Sequence, residues 1–473
     1  MRPAVCVHAH FYQPPREDPI SGDVPCEPSA APHHDWNHRI TAECYEPFAS
    51  ARILRADGDV ERTVNLYERI NFNVGPTLAA WLERHAPQVL AAMQAGDAAS
   101  ARTNRGHGGA IAQPYVHAIL PLADARTRET LIRWGLAEFE HRFGRRAEGM
   151  WLPETAADTP SLEALAAQGI AFTILAPHQM RAGATERPLD SRFPVTIKLP
   201  SGRQIAVFAY DSRLAHGIAF GKLLRHGHEL ADALTRPVRG LGGLSHVATD
   251  GETFGHHHKF GEMALAWALD EVARDPDVEL TTYAAFLTAG PPRQEGLLVE
   301  PTSWSCEHGI ERWRSGCGCA AGRDAPFGHG WRTPLREAVD NVTRAITALT
   351  DDRAGGALFD PWAARHDYIR VVLDGRALEH FLAQHAVPGR NDDAASWMRA
   401  HVHLLLAQSS CGWFFDEFDG LEARLVLGRL AAATALVRGL TSIDLDGGVE
   451  STLAGVRAAT GDGATIWRSA TAR

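Results

Sequence analysis

The first 290 residues alternate between short apolar runs that end in polar residues and longer stretches with helical spacing. PAVCVHAH (3–10) opens the pattern and AEGMWLPE (147–154) repeats its shape; AFTILA (171–176), QIAVFAYD (204–211) and SHVATD (245–250) follow. Nearly unbroken apolar runs of this length predict strands buried on both faces. Between them, 128–144 sets Ile132, Leu136, Phe139 and Phe143 on one helical face, and 262–275 does the same with Leu265, Leu269 and Val272. Thr159 is placed to cap a further helix, with Pro160 at its first position and Gly169 at its end. Strand and helix in alternation build a parallel sheet, open or closed, whose ligands bind beyond the carboxyl ends of the strands. The residues at those ends are His8, His10, Glu154, Asp211 and Asp250. Loop hydration explains any one of them, but five together predict a site.

After GPPR (290–293) the strand pattern fades. Leu335, Val339, Val342, Ile346 and Leu349 form an amphipathic stripe over 333–352, and 376–386, 394–408 and 420–440 are helical in pattern. The expected organisation is a barrel or sheet domain over 1–290 and a helical domain over 291–473 that completes the cleft. The segment 13–38 carries six prolines and follows the first strand directly, so it is expected to overhang the site.

Composition narrows the partners. A net charge of −10 argues against nucleic acid, which needs a basic surface. No run of 18 apolar residues predicts a membrane span, and MRPAVCVHAH lacks the apolar stretch of a secretory signal. Seven cysteines, an odd number, predict reduced thiols and a cytoplasmic location. Twelve tryptophans suit stacking on sugar rings, although a core needs them equally.

Two motifs carry candidate chemistry. In GMWLPET (149–155), Glu154 ends a strand behind Trp151 and Pro153, a rigid placement that suits a carboxylate attacking an anomeric carbon and equally a group that caps the next helix. In TDGETFGHHHKFGE (249–262), Asp250 ends a strand, and Glu252 can share its face and rivals it. A carboxyl beside a second carboxylate has a raised pKa and can act as an acid. The consecutive His256, His257 and His258 cannot all face one ion. Cys306, His308, Cys317 and Cys319 offer four soft ligands, but CxH followed by CxC departs from the CxxC knuckles of structural zinc sites. A packed or redox thiol cluster is the preferred reading there, and no metal is expected.

Together these motifs resemble glycoside hydrolase family 57. VHAHFYQP (7–14), HAILPL (117–122), Trp151 to Glu154, Asp250 to His256, and TSWSCEHGIERW (302–313) resemble its five regions in order. The resemblance implies a (β/α)7 barrel of the glycoside hydrolase/deacetylase type with a helical C-terminal region. It implies a retaining enzyme on α-glucans (amylase, 4-α-glucanotransferase or branching enzyme) that uses no metal or cofactor. By the same resemblance Glu154 is the nucleophile and Asp250 the general acid/base, while His10, His117 and His256 line the sugar site and Trp304 is an aromatic platform. His8, Trp151, Asp211 and His308 complete the expected substrate-binding set. The stretches 34–48, 106–115, 305–319 and 409–420 resemble a subgroup with a C-terminal domain of unknown function. The first region reads HAHFYQPP and the second GHGGAIAQPY, and the fifth carries His308 and three cysteines; these departures touch binding positions and bear on specificity. Two other readings stand beside this one. A metal-dependent deacetylase or mannosidase-like hydrolase would use His8, His10 and His256 with an aspartate. A glycan-binding protein without catalysis is the other, and the presence of both carboxylates counts against it.

Overall fold

A computed structural model describes residues 2–183, 188–322 and 325–472. The strand Pro3–Phe11 pairs in parallel with Gly243–Asp250 along its length and with Asn71–Val74 at its carboxyl end. From there the chain closes a ring. Phe72 bridges Ala110, Ala112 bridges Met150 and Gly149 bridges Phe172, all in parallel. Phe172–Leu175 pairs in parallel with Gln204–Ala209. Asp211 N then donates to His246 O at 2.9 Å, which returns to Gly243–Asp250. Seven parallel segments therefore form a (β/α)7 barrel. Between the last two, the antiparallel strand Val195–Lys198 covers the edge of Gln204–Ala209 as far as Val207, so those two barrel strands meet only near their carboxyl ends.

Five of the seven segments match the apolar runs of the sequence. The other two are Asn71–Val74, which alternates asparagine with apolar residues, and residues 110–112, which join through single bridges at Ala110 and Ala112; neither has the apolar run of a buried strand. Asn71 and Asn73 are fully buried, and the barrel satisfies them: Asn71 Nδ2 donates to Gly109 O at 2.7 Å and Tyr283 N donates to Asn71 Oδ1 at 2.9 Å. The run 147–154 is a strand only at Gly149 and Met150; Pro153–Thr155 already turns. A Cβ at Gly149 would lie 2.3 Å from the Phe172 ring, so only glycine lets these neighbours close.

Alternation decides what faces the interior. Ala4 and Cys6 join the buried cluster with Phe172, Ile174, Phe208, Leu244 and Ala248. The same two-residue period carries on to His8 and His10, to Tyr210 and to Asp250. The interior thus changes from apolar to polar toward the carboxyl ends, which is what positions the site.

Several elements lie as expected. Leu265, Leu269 and Val272 are buried on Gly261–Arg274, and Leu335, Val339, Val342 and Ile346 on Arg332–Arg353. The helix Thr159–Ala167 departs in one detail: Asp158, not Thr159, is its cap, accepting from Ser161 N at 2.8 Å. An ionised carboxylate is the stronger acceptor at a helix N-terminus.

By contacts the chain divides into two compact units. The barrel unit comprises 1–13, 26–113 and 139–304, and the helical unit 14–25, 114–138 and 305–473. The division follows contact rather than a single cut at 290. In the helical unit, Asn391–Leu406 packs on Leu421–Thr441 and Arg332–Arg353 on Asp446–Leu453. Residues 14–25 are tied into it by Arg429, whose Nη2 donates to Glu17 O at 2.7 Å. The remainder of the proline-rich segment lies in the barrel unit and forms the helix Trp36–Ile40, capped by Asp35. Among the described residues no helix is long and apolar enough to cross a membrane.

Candidate active site

Glu154 sits on an unusual backbone. It has φ 57° and ψ 18°, and Thr155 follows at φ 48°, two left-handed residues in succession without glycine. Each costs on the order of 1–2 kcal/mol, and a β-branched threonine is a rare occupant. Surrounding bonds hold the turn. Ala157 and Thr302 exchange backbone bonds at 2.9 and 3.1 Å, and Trp304 N donates to Glu154 O at 3.0 Å. The fully buried Gln179 braces the other side: its Oε1 accepts from Thr155 Oγ1 at 2.7 Å and Ala176 N at 2.8 Å, and its Nε2 donates to Thr155 O at 2.7 Å. The carboxylate itself is oriented by Trp304, whose Nε1 donates to Glu154 Oε2 at 3.1 Å. Backbone strain over-determined in this way clusters at active sites and ligand clamps.

Gln179→Ala is expected to lower stability by about 1–3 kcal/mol, because it leaves the Thr155 and Ala176 groups buried without partners. Urea unfolding measures that loss. The same variant should lower kcat more than it raises KM, since it frees the turn that aims Glu154.

Opposite His10 in the strand register stands Asp250. Its side chain opens to solvent on one side, and protein encloses it on the others. Lost solvation, then the nearby Glu252 and Glu154 carboxylates, push its pKa up to about 8. Among the described residues no group donates a hydrogen bond to the Asp250 carboxylate. Glu252 differs. Burial raises it to about 7, but its Oε1 accepts from Tyr45 Oη at 2.5 Å and Tyr12 N at 3.3 Å. Glu252 is therefore held by the protein, whereas the Asp250 carboxylate has no such donor among the described residues.

His8 and His10 stack on Trp151 at 4.9 and 5.0 Å, and both reach Asn73 Oδ1, at 3.1 and 3.2 Å. Asn73 is fixed in turn by donating to Gln113 Oε1 at 2.7 Å. Burial lowers both imidazoles to about 3, so they are neutral at physiological pH. Neutral rings offer a donor and an acceptor, which suits sugar hydroxyls. Trp304 stands edge-on to Trp151 at 5.1 Å and to Tyr210 at 6.4 Å.

The other expected residues are placed differently. His256 Nδ1 pairs with Glu43 Oε2 at 2.5 Å, and Arg39 Nε donates to Glu43 Oε1 at 3.1 Å. Asp211 caps the helix Ser212–Ala219, accepting from Arg213 N and Leu214 N at 2.8 and 3.1 Å. His117 belongs to the helical unit, where its Nδ1 meets Ser410 Oγ at 2.6 Å. His308, in the same unit, has Nδ1 3.5 Å from Cys319 Sγ. Among the described residues His8, His10 and His256 do not gather with an aspartate around one point, as a metal-dependent hydrolase would require.

Residues 30–299, more than half of the chain, match the model of glycosyl hydrolase family 57. The chain belongs to that family. Residues 328–472 match a domain of unknown function, DUF3536, which bears out the resemblance to that subgroup. A 4-alpha-glucanotransferase of Thermococcus kodakarensis is 30% identical over 178 residues, 35% of this chain and 25% of that one. A 4-alpha-glucanotransferase of Thermococcus litoralis is 23% identical over 239 residues, 49% and 34% of the two chains. The matches thus span a quarter to a third of those relatives. Among solved structures, an exo-type maltose-forming amylase from Pyrococcus sp. ST04 has a TM-score of 0.73 at 14% identity, covering 99% of this chain and 88% of that one. A branching enzyme from Thermococcus kodakaraensis has a TM-score of 0.62 at 15% identity, covering 96% and 94%. These two share the fold.

The family 57 barrel of this chain adds residues that its motifs did not single out: Asn73, Gln113, Gln179, Tyr45 and Tyr210. Tyr45 and Gln113 lie in stretches that resemble the subgroup, 34–48 and 106–115; for the others no short motif exists, since each acts through a contact distant in sequence. The arrangement can supply an oriented carboxylate, a protonated carboxyl and a polar, aromatic floor.

Proposed function

We propose that this family 57 protein is a retaining glycosidase or transglycosylase that acts on α-glucans through a covalent glycosyl-enzyme. The observation that carries this reading is the contrast between the two carboxyl groups. Glu154 is aimed by a strained turn and by Trp304. Asp250 is held toward its protonated form beside it. Asp250 gives its proton to the glycosidic oxygen while Glu154 attacks the anomeric carbon. Asp250, now a base, takes a proton from the acceptor that displaces Glu154. The acceptor is water in hydrolysis and a sugar hydroxyl in transfer, and exclusion of water favours transfer. His10 and the half-buried Trp304 meet the sugar, by hydroxyl contact and by packing on its face; His8 and Trp151, both fully buried, lie beneath them and hold them in place rather than touching substrate as the sequence suggested. The α-glucan assignment is supported by the names of the relatives and fold neighbours. Seven free thiols support a reducing, cytoplasmic setting.

The test is mechanism-based labelling with a 5-fluoro-α-glucosyl fluoride, read by peptide mass spectrometry, together with the anomeric configuration of first-formed product by NMR. Label on Glu154 and retained configuration are expected. Inverted product, or label on another carboxylate, would overturn the assignment.

A further inference from the structure

The thiol cluster of the helical unit is unused by this mechanism. Cys306 Sγ lies 3.9 Å from Cys317 Sγ and 3.8 Å from Cys319 Sγ, and Cys319 Sγ lies 3.5 Å from His308 Nδ1. All four ligand atoms fall within 4.8 Å of one another. A tetrahedral zinc with Zn–S of about 2.3 Å and Zn–N of about 2.1 Å sets edges of about 3.8 Å between sulfurs and about 3.6 Å from sulfur to nitrogen. The three separations match those edges. They do not match a disulfide, whose sulfurs stand about 2.05 Å apart.

Surroundings separate a metal site from a packed thiol cluster. Cysteines gathered by packing alone would be buried among apolar side chains. Here Cys306 is buried, Cys317 and Cys319 are half-buried and His308 is exposed. The segment 314–322 that carries two of the sulfurs has no regular secondary structure. Between those two, Gly318 has φ 88°, a left-handed turn residue, so the CxC folds back on itself. This is how one intervening residue does the work of a CxxC knuckle. Three thiolates and a neutral imidazole on Zn2+ carry a net charge of −1. Arg332, fully buried, donates from Nη1 to Cys319 O at 2.8 Å and also meets Asp416 Oδ1 at 3.8 Å, so its charge is shared between the cluster and that carboxylate.

We infer that Cys306, His308, Cys317 and Cys319 bind one zinc ion in a closed, structural site that orders residues 305–322 of the helical unit. Binding displaces the three thiol protons to solvent and changes no oxidation state. His308 Nδ1 is then a ligand, in place of the substrate-binding role expected of it from the sequence.

Full-length protein, expressed with zinc and purified under reducing conditions, is expected to carry one equivalent of zinc by mass-spectrometric metal analysis. Its zinc-edge absorption spectrum should show three sulfurs and one nitrogen, with sulfur at about 2.3 Å. Cys317→Ser with Cys319→Ser should lower zinc to background, while Cys411→Ser keeps it. Should the double variant fail to fold, cobalt(II) added to metal-free wild type decides: intense bands of tetrahedral thiolate coordination are expected. Zinc removal should lower the melting temperature of wild type. Reduced, folded wild type that takes up neither zinc nor cobalt would overturn the inference. So would a shell of oxygen and nitrogen alone, or zinc retained by the double variant.

Discussion

Glu154→Gln is expected to lose on the order of 10^4-fold or more in kcat/KM on maltooligosaccharides while the protein folds as before. Glutamine keeps the shape of glutamate and can still accept from Trp304 Nε1 through its amide oxygen, so the site should keep its geometry. What it lacks is the charge that forms and stabilises the bond to the anomeric carbon. A contrasting substitution separates chemistry from stability. Glu154→Gly removes the side chain from a left-handed residue and relieves about 1–2 kcal/mol of backbone strain. It also loses a half-buried hydrogen bond worth about 1 kcal/mol. This variant should therefore be at least as stable as the parent and equally inactive. Rate measurements on wild type and both variants, with urea unfolding alongside, make the comparison. Activity of Glu154→Gln within tenfold of wild type would remove Glu154 from the nucleophile's role.

That Glu154 could be found in sequence owes more to its neighbours than to its own environment. The apolar run that precedes it announced a strand end, although only Gly149 and Met150 pair as a strand. The strained turn was invisible, because nothing in WLPET requires positive φ; the requirement comes from Gln179 and from the bridge to Thr302, which lie 24 and 145 or more residues away. Barrel strands with continuous apolar runs were legible for the same reason that they are buried on both faces. Asn71–Val74 was not, since its interior positions hold Asn71, which the barrel pairs with Gly109 and Tyr283, and Asn73, which holds His8 and His10. The zinc ligands are legible by type, but their spacing in sequence argues against a metal. The turn at Gly318, which reconciles the spacing with one ion, is a matter of backbone conformation. Asp211 shows the converse: a strand-end aspartate carries a binding expectation in the sequence, and in the structure it caps the next helix by accepting from the amides of Arg213 and Leu214.

Asp250→Asn should lower kcat by about 10^2–10^4-fold on oligosaccharides, because asparagine can neither protonate the departing sugar nor take a proton from the acceptor. The loss should depend on the leaving group. Fluoride departs without a proton, so α-glucosyl fluoride should still load Glu154, and the glycosyl-enzyme should accumulate for want of a base. Azide needs no deprotonation and should restore turnover, giving a glucosyl azide of retained configuration. The pH dependence carries a second signature. Asp250 must be protonated to act as acid, so wild-type activity falls as pH rises through about 8, and the variant lacks that alkaline limb. Stability moves with the same group. Its pKa rises from 3.8 unfolded to about 8 folded, so the folded state binds the proton more tightly. The contribution is fully present below the unfolded value and is lost as pH rises through the folded one. Asparagine does not ionise, so the melting temperature of Asp250→Asn relative to wild type should climb between those two values and then level. Glu252→Gln provides the decisive comparison, because Glu252 is also raised and stands two residues away. Azide rescue in Glu252→Gln and not in Asp250→Asn would transfer the acid/base role to Glu252. Rescue confined to Asp250→Asn is the expected result, because Tyr45 and Tyr12 already engage the Glu252 carboxylate and Asp250 is left open to the substrate.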